Sequence, residues 1–286
     1  MQRDDPIVVL CGGLQSSGSS IISWCFLQRS DMDGVYDANS DMICAVPQGI
    51  ETPYIWYKFT ITAFRLSEQM NCAQDEGYRV RPLLVVRDVR AVWASLANKP
   101  YGRNGTTAED PPLRLRMRRF LEDWQLFRQN HWPMIQYEQF AHSPEVTLRQ
   151  TCQALNLPWD QAMISWPKPP QQIANLHHGS ATFGASKKGG LLGTVRPDQV
   201  DLVRHPIGAA DHAWLEAEFA EFNRANGYAP HRDIPADSVD RLAPRFDVTR
   251  RFKWRLQQKP LRMLLYKLGF KQAANLPGAM RSRRPF

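Results

Sequence analysis

Pro6-Ile7-Val8-Val9-Leu10-Cys11-Gly12-Gly13-Leu14-Gln15-Ser16-Ser17-Gly18-Ser19-Ser20 decides the reading of this chain. The β-branched run at its start suits a buried strand, and the Gly/Ser stretch that follows is turn chemistry. The apolar run from Ile21 to Leu27 then continues as a helix. Strand, glycine-rich turn and helix in that order aim backbone N–H groups and a helix N-terminus at one point, an anion site suited to phosphate. Gln15, Ser16, Ser17, Gly18, Ser19 and Ser20 are the residues of that loop.

Gly13 and Gly18 have the spacing of the NTPase P-loop, but Ser19 stands where its lysine would be. Nothing in the motif then grips the β- and γ-phosphates of ATP, so the loop suits a different phosphoester. Outward from the loop, strand and helix signals alternate. Strands are predicted at 7–11, 34–36, 54–59, 83–87 and 134–137, and helices at 21–28, 61–75, 90–97, 113–129, 144–155 and 211–226. Near-continuous apolar runs such as Leu83-Leu84-Val85-Val86 suit strands covered on both faces. The alternation predicts a doubly wound α/β fold with a mostly parallel sheet flanked by helices, P-loop NTPase-like, whose ligands sit beyond the carboxyl ends of the strands. The segments 98–112 and 167–197 read as long loops over that edge.

Composition bounds the rest. The chain has 286 residues, 43% hydrophobic with nine Trp and thirteen Phe, enough for one large α/β domain with a small appendage. Met1 to Asp5 is polar and reads as no signal peptide, and no apolar run reaches the roughly eighteen residues of a spanning helix. The five cysteines (Cys11, Cys25, Cys44, Cys72 and Cys152) form no CxxC pair, which points away from a zinc site or disulfide framework and towards a reducing cytoplasm. Of the net charge of +8, residues 241–286 carry +12 (thirteen Lys/Arg against Asp247), leaving −4 on residues 1–240. The basic character therefore belongs to the tail, which argues against a nucleic-acid-binding body. The expected division is a main domain over 1–230 and a basic helical extension over 231–286.

A second signal lies in Leu83-Leu84-Val85-Val86-Arg87-Asp88-Val89-Arg90-Ala91-Val92-Trp93-Ala94-Ser95-Leu96. Arg87 ends a buried strand, and Ser95 follows eight residues later, about two turns into the next helix. An arginine fork and a helix hydroxyl so placed can hold one phosphate together. The structural alternative is an Arg87 paired with Asp88 or a neighbouring carboxylate.

Together these segments resemble the cytosolic-type sulfotransferases that use 3′-phosphoadenosine-5′-phosphosulfate (PAPS). Ser17-Gly18-Ser19-Ser20 resembles that family's 5′-phosphosulfate loop, and Arg87 with Ser95 matches its 3′-phosphate element in spacing. Tyr137-Glu138-Gln139-Phe140, with Ser143-Pro144-Glu145 and Leu155-Asn156-Leu157 beyond it, is similar to a later family segment. Lys187-Lys188-Gly189 looks like the basic cap over the 3′-phosphate, and Phe222-Asn223-Arg224-Ala225-Asn226-Gly227-Tyr228 resembles the closing helix. The resemblance covers about residues 6–230. It implies transfer of a sulfuryl group to a hydroxyl or amine acceptor, a glycan or lipid-linked molecule among them, with release of 3′-phosphoadenosine-5′-phosphate (PAP). Such a transfer needs cations and N–H donors around the moving group and no obligatory metal.

The chain departs from the family at two positions. Ser16 stands where the loop usually has Lys or Arg, and Thr60 where the usual general-base His would be. The resemblance makes Lys58 the substitute cation stabilising the sulfuryl group. Candidates for the base are Asp37, Asp41, Glu51 and His178.

In the tail, Leu261, Leu264, Leu265 and Leu268 recur at helical spacing among Arg255, Lys259, Arg262 and Lys267. Such a basic amphipathic helix over 250–270 either lies on an anionic membrane or packs on the main domain with its charges solvated. The first option would put a cytoplasmic protein at the inner membrane surface. Two other functions stay open at this level: a P-loop kinase or NTPase, and a non-catalytic protein that binds a membrane or partner through the tail.

Overall fold

Strand β1 (Ile7–Gly13) is buried along its whole length, and the other elements are arranged around it. The computed structural model describes residues 6–38, 46–47, 49–62, 64–97, 112–173, 190–195, 207–229, 263–265 and 267–268. Its five strands are β1, β2 (Met32–Val35), β3 (Tyr54–Thr60), β4 (Arg79–Val86) and β5 (Met134–Gln136), in the order β2-β3-β1-β4-β5. Every pairing is parallel. The helices are α1 (Ser19–Leu27), α2 (Leu66–Asp75), α3 (Val89–Ala97), α4 (Pro112–Gln129), α5 (Tyr137–His142), α6 (Pro144–Ala154), α7 (Ala162–Ser165), α8 (Ala209–Glu218) and α9 (Ala220–Ala225).

Successive strand residues point to opposite faces, and each face has its own core. Val8, Leu10, Ile55, Tyr57, Phe59, Leu84 and Val86 pack with side chains of α2, α3, α4, α8 and α9. Val9, Cys11, Trp56, Leu83 and Val85 pack on the other face with α1, α5, α6 and α7. Helices thus cover both faces, as expected of a doubly wound sheet. Rings add specific contacts: Phe26 of α1 stacks on Trp56 at 4.4 Å, and Trp56 donates its indole N–H to Ser23 Oγ at 2.7 Å.

Several boundaries differ from the sequence expectation. Strand β4 begins at Arg79 rather than residue 83, despite Pro82. Proline is tolerated because β5 joins β4 only from Leu84, so the missing N–H faces a side with no strand yet beside it. The strand expected over 134–137 stops at Gln136, and Tyr137 opens α5. The helix expected over 211–226 breaks at the buried Phe219, whose ring lies edge-on to Trp214 and Phe222, each 5.9 Å away.

The helix expected over 61–75 starts only at Leu66. Ile61 N–H instead continues to bond β1, reaching Gly13 O at 2.9 Å. The buried Asp123 of α4 then caps α2, accepting Leu66 N–H (2.6 Å), Ser67 N–H (3.1 Å) and the Ser67 hydroxyl (2.7 Å). Burial pushes the Asp123 carboxyl from 3.8 up to about 6. The folded chain therefore keeps this proton to higher pH than the unfolded chain. Its contribution to stability is fullest below 3.8 and falls as pH rises through about 6. Asp123→Ala leaves two backbone donors without their acceptor and is expected to lower stability in urea unfolding by about 1–3 kcal/mol. The deficit should be larger at about pH 5 than at about pH 7.

Candidate functional site

The carboxyl ends of β1, β3 and β4 meet at one edge, and the loop of residues 14–18 crosses it. Ser17 N–H turns back to Leu14 O at 3.1 Å, and Gly18, at φ 86°, opens α1. Among the described residues no side chain caps α1, and no acid occupies its first turn. Its N-terminus therefore keeps the partial positive charge and free donors that suit an anion. Only glycine serves at position 18, because a Cβ there would lie 2.0 Å from Tyr137 Cδ2.

Ser16, also left-handed at φ 69°, is held from two sides. Arg87, just past β4, donates from Nη1 to Ser16 O at 2.8 Å. Ser95 of α3 donates to Ser16 Oγ at 3.1 Å. The structure thus brings Arg87 and Ser95 together on the anion loop, across 71 and 79 residues of sequence. Arg87 is not paired with Asp88, whose carboxylate takes both Nε and Nη2 of the buried Arg90 at 2.9 Å. Arg90 reaches on to Glu216 of α8 at 3.0 Å. The Arg87 guanidinium instead lies over the Tyr137 ring, 4.6 Å from its centroid. Ser17 Oγ and Arg87 Nε are buried without a hydrogen-bond partner, so the cradle retains polar capacity that a phosphate or sulfate ester fits.

Tyr137, Glu138 and Tyr228 stood in the sequence as marks of resemblance with no role attached, and the geometry supplies one. Glu138 accepts Asp88 N–H with one oxygen and the Tyr228 hydroxyl with the other, both at 2.9 Å. Gln136 Nε2 donates to Asn226 O at 3.0 Å beside them. Burial raises the Glu138 carboxyl, while the Asp88 N–H opposes the rise. Burial and the neighbouring Glu138 hold the Tyr228 phenol neutral. The backbone corner that carries Arg87 is therefore clamped by α5 and by the chain beyond α9. The available signal was the adjacency of Tyr137 and Glu138 at a strand–helix junction.

Lys58 is no exposed strand-end residue: it is 2% exposed, and its Nζ lies 2.8 Å from Asp37 Oδ1. It also reaches Thr60 Oγ1 at 3.5 Å. In register it faces Cys11, while Thr60 faces Gly13 at the end of β1. Asp37, beyond β2, keeps a third of its side chain exposed. Its neighbour Tyr36 is buried and hydrogen-bonded to Ser20, and burial keeps its phenol neutral. Ser20 of the loop is thereby linked through Tyr36 and Asp37 to Lys58. Gln15 is half-buried in the turn, and Ser19 is buried in the first turn of α1.

Glu51 is exposed and makes no ion pair among the described residues. Asp41, His178, Lys187, Lys188 and Gly189 lie outside the described residues. No group of three or more metal-ligating side chains occurs among the described residues, and no helix there is long and apolar enough to cross a membrane.

Compared by sequence, the chain matches no protein-family model and no curated protein. Compared by structure, it resembles a sulfotransferase domain from the curacin biosynthetic pathway, with a TM-score of 0.55 and 12% identity. That alignment covers 80% of this chain and 100% of the other. A sulfotransferase domain from the Synechococcus PCC 7002 olefin synthase aligns at a TM-score of 0.50 and 12% identity, over 77% and 97% of the two chains. The chain is thus an α/β protein with the fold of sulfotransferase domains. At this identity the likeness defines the fold, and the chemistry rests on the residues just described.

The packing of Gly18 on Tyr137 is testable. Gly18→Ala adds a ring clash to a left-handed backbone and should cost at least about 3 kcal/mol in urea unfolding. In a Tyr137→Ala background the clash is gone, and the same substitution should cost only about 1–2 kcal/mol.

Proposed function

We propose that this protein is a sulfotransferase that draws the sulfuryl group from PAPS and passes it to a hydroxyl or amine acceptor, releasing PAP. The observation that carries the reading is the convergence of an uncapped helix N-terminus, the Arg87–Ser95 pair and the buried Lys58 on one sheet edge. PAPS supplies a sulfuryl group already activated by its phosphosulfate anhydride.

In this reading the N–H groups at the start of α1, with Ser17, Ser19 and Ser20, hold the 5′-phosphosulfate. Arg87 and Ser95 take the 3′-phosphate, to which the resemblance would add Lys187, Lys188 and Gly189. As the acceptor oxygen or nitrogen bonds to sulfur and the bridging S–O bond breaks, negative charge gathers on the leaving phosphate. Lys58, itself almost wholly buried, neutralises that charge, and burial makes a fixed cation effective. The acceptor also releases a proton. Asp37 is the base we assign, because among the described candidates it alone adjoins Lys58 while remaining open to an incoming group. Thr60 occupies the usual histidine position as a hydrogen-bond partner of Lys58.

Calorimetric titration with PAP, AMP and Mg-ATP tests the donor assignment. PAP should bind well ahead of AMP. Arg87→Ala should weaken PAP by about thirtyfold or more, the scale of a charged hydrogen bond, and narrow its lead over AMP. Ser95→Ala, a milder change at the same phosphate, should weaken PAP by about five- to tenfold. Equal binding of PAP and AMP, or an Arg87→Ala protein that titrates like wild type, would sink the reading.

A further inference from the structure

The charge and the apolar side chains at the end of the chain combine in a way that the transfer reaction does not use. Residues 250–271 contain eight Lys/Arg and no acid. Within them, residues 263–265 and 267 are helical, with Leu268 N–H bonded to Leu264 O at 2.9 Å. Met263 and Leu265 are half-buried and pack against the core on the α2 face. Lys267 lies near enough to Cys72 of α2 to oppose the burial that pushes this thiol up to about 12, and Asp75 and Glu76 act on the same thiol. Met263 and Leu265 therefore anchor the turn on the body.

That anchoring uses only one side of the turn. Leu264 is 53% exposed and Leu268 61%, and residues four apart share a helix face. Packing on the main domain accounts for Met263 and Leu265 and leaves this second apolar face uncovered. Two exposed leucines alone are ordinary on a protein surface. Here they stand in the stretch of the chain with the most concentrated positive charge, on a protein whose residues 1–240 sum to −4.

We propose that Leu264 and Leu268, with Lys267 and the basic sequence that contains them, dock the protein on an anionic phospholipid surface. The leucines would enter the acyl boundary while Lys267 and its neighbours in sequence meet lipid phosphates. Neither contribution suffices alone, since a small apolar face gives only marginal membrane affinity and a basic cluster adds to it. The body and its anion loop would then be held at the membrane, within reach of acceptors presented there.

Flotation of the full chain with vesicles tests this, using phosphatidylcholine alone and phosphatidylcholine with one-quarter phosphatidylglycerol. The protein should float with the anionic vesicles, not with the neutral ones, and be released by high salt. The double variant Leu264→Ser/Leu268→Ser should lose about tenfold or more in partitioning. Lys267→Gln should lose about fivefold. All three side chains are exposed and outside the anion cradle, so both variants should keep the wild-type urea midpoint and PAP titration. Three results would overturn the proposal: no preference for anionic vesicles, a double variant that floats like wild type, or duplex DNA that strips the protein from the vesicles at matched phosphate concentration. None of them bears on PAP binding, so the two proposals stand or fall separately.

Discussion

A Cβ on Gly18 would lie 2.0 Å from the Tyr137 ring, and the same ring sits 4.6 Å below the Arg87 guanidinium. The start of α1, the start of α5 and the end of β4 therefore meet through a single aromatic side chain. The next residue, Glu138, takes Asp88 N–H and the Tyr228 hydroxyl. Two consecutive residues thus set both the roof of the anion loop and the backbone that aims Arg87. Left-handed Ser16 is a conformation that the surroundings must enforce, whereas glycine adopts the left-handed backbone at 18 freely. Arg87 and Ser95 supply that enforcement at Ser16, and the ring excludes any larger residue at Gly18. The loop is preorganised by contacts from elements far away in sequence.

The strands are legible in the sequence because a parallel sheet covered on both faces needs apolar runs, and Ile7–Gly13 and Leu83-Leu84-Val85-Val86 are such runs. The P-loop-like turn is equally legible, since glycine at 18 and serines around it have a local cause. What is not legible depends on distant partners. Nothing near Leu66 says that its helix is capped by Asp123, 57 residues away. Nothing near Pro82 says that β5 begins only beyond it. The pairing of Lys58 with Asp37 is hidden for the same reason: in sequence both look like solvated strand-end charges, and only the β2–β3 pairing brings them together.

Buried charge is concentrated around this edge and behind it. Lys58, Arg90 and Arg29 are each almost wholly buried, and each has a carboxylate at 2.8–2.9 Å. Such pairs contribute little net stability, because desolvation of both partners offsets most of their attraction. Their effect is geometric. Arg90 ties Asp88, and so the corner next to Arg87, to Glu216 of α8. Arg29 fixes the end of α1 to Asp31 and to Pro158 O at 2.7 Å. Buried cations held in this way cannot turn away to water.

Ser16 and Lys58 then form one arrangement. A cation in the loop at position 16 would stand in the field of Arg87, which donates to that residue's own carbonyl. Serine removes the repulsion and offers Ser95 an acceptor, and the buried cation on the neighbouring strand β3 is Lys58. The buried Lys58 is paired, with Asp37 Oδ1 2.8 Å from its Nζ. The arrangement also limits what hydrogen bonds can add at the proposed 3′-phosphate site. Arg87 and Ser95 are both already engaged by Ser16, so a phosphate that takes them exchanges bonds rather than adding them. The net gain must come from replacing the neutral acceptors of Arg87 and Ser95 with a full negative charge and from satisfying the buried Arg87 Nε. Discrimination at that position thus rests on the charge of the ligand more than on its count of acceptors.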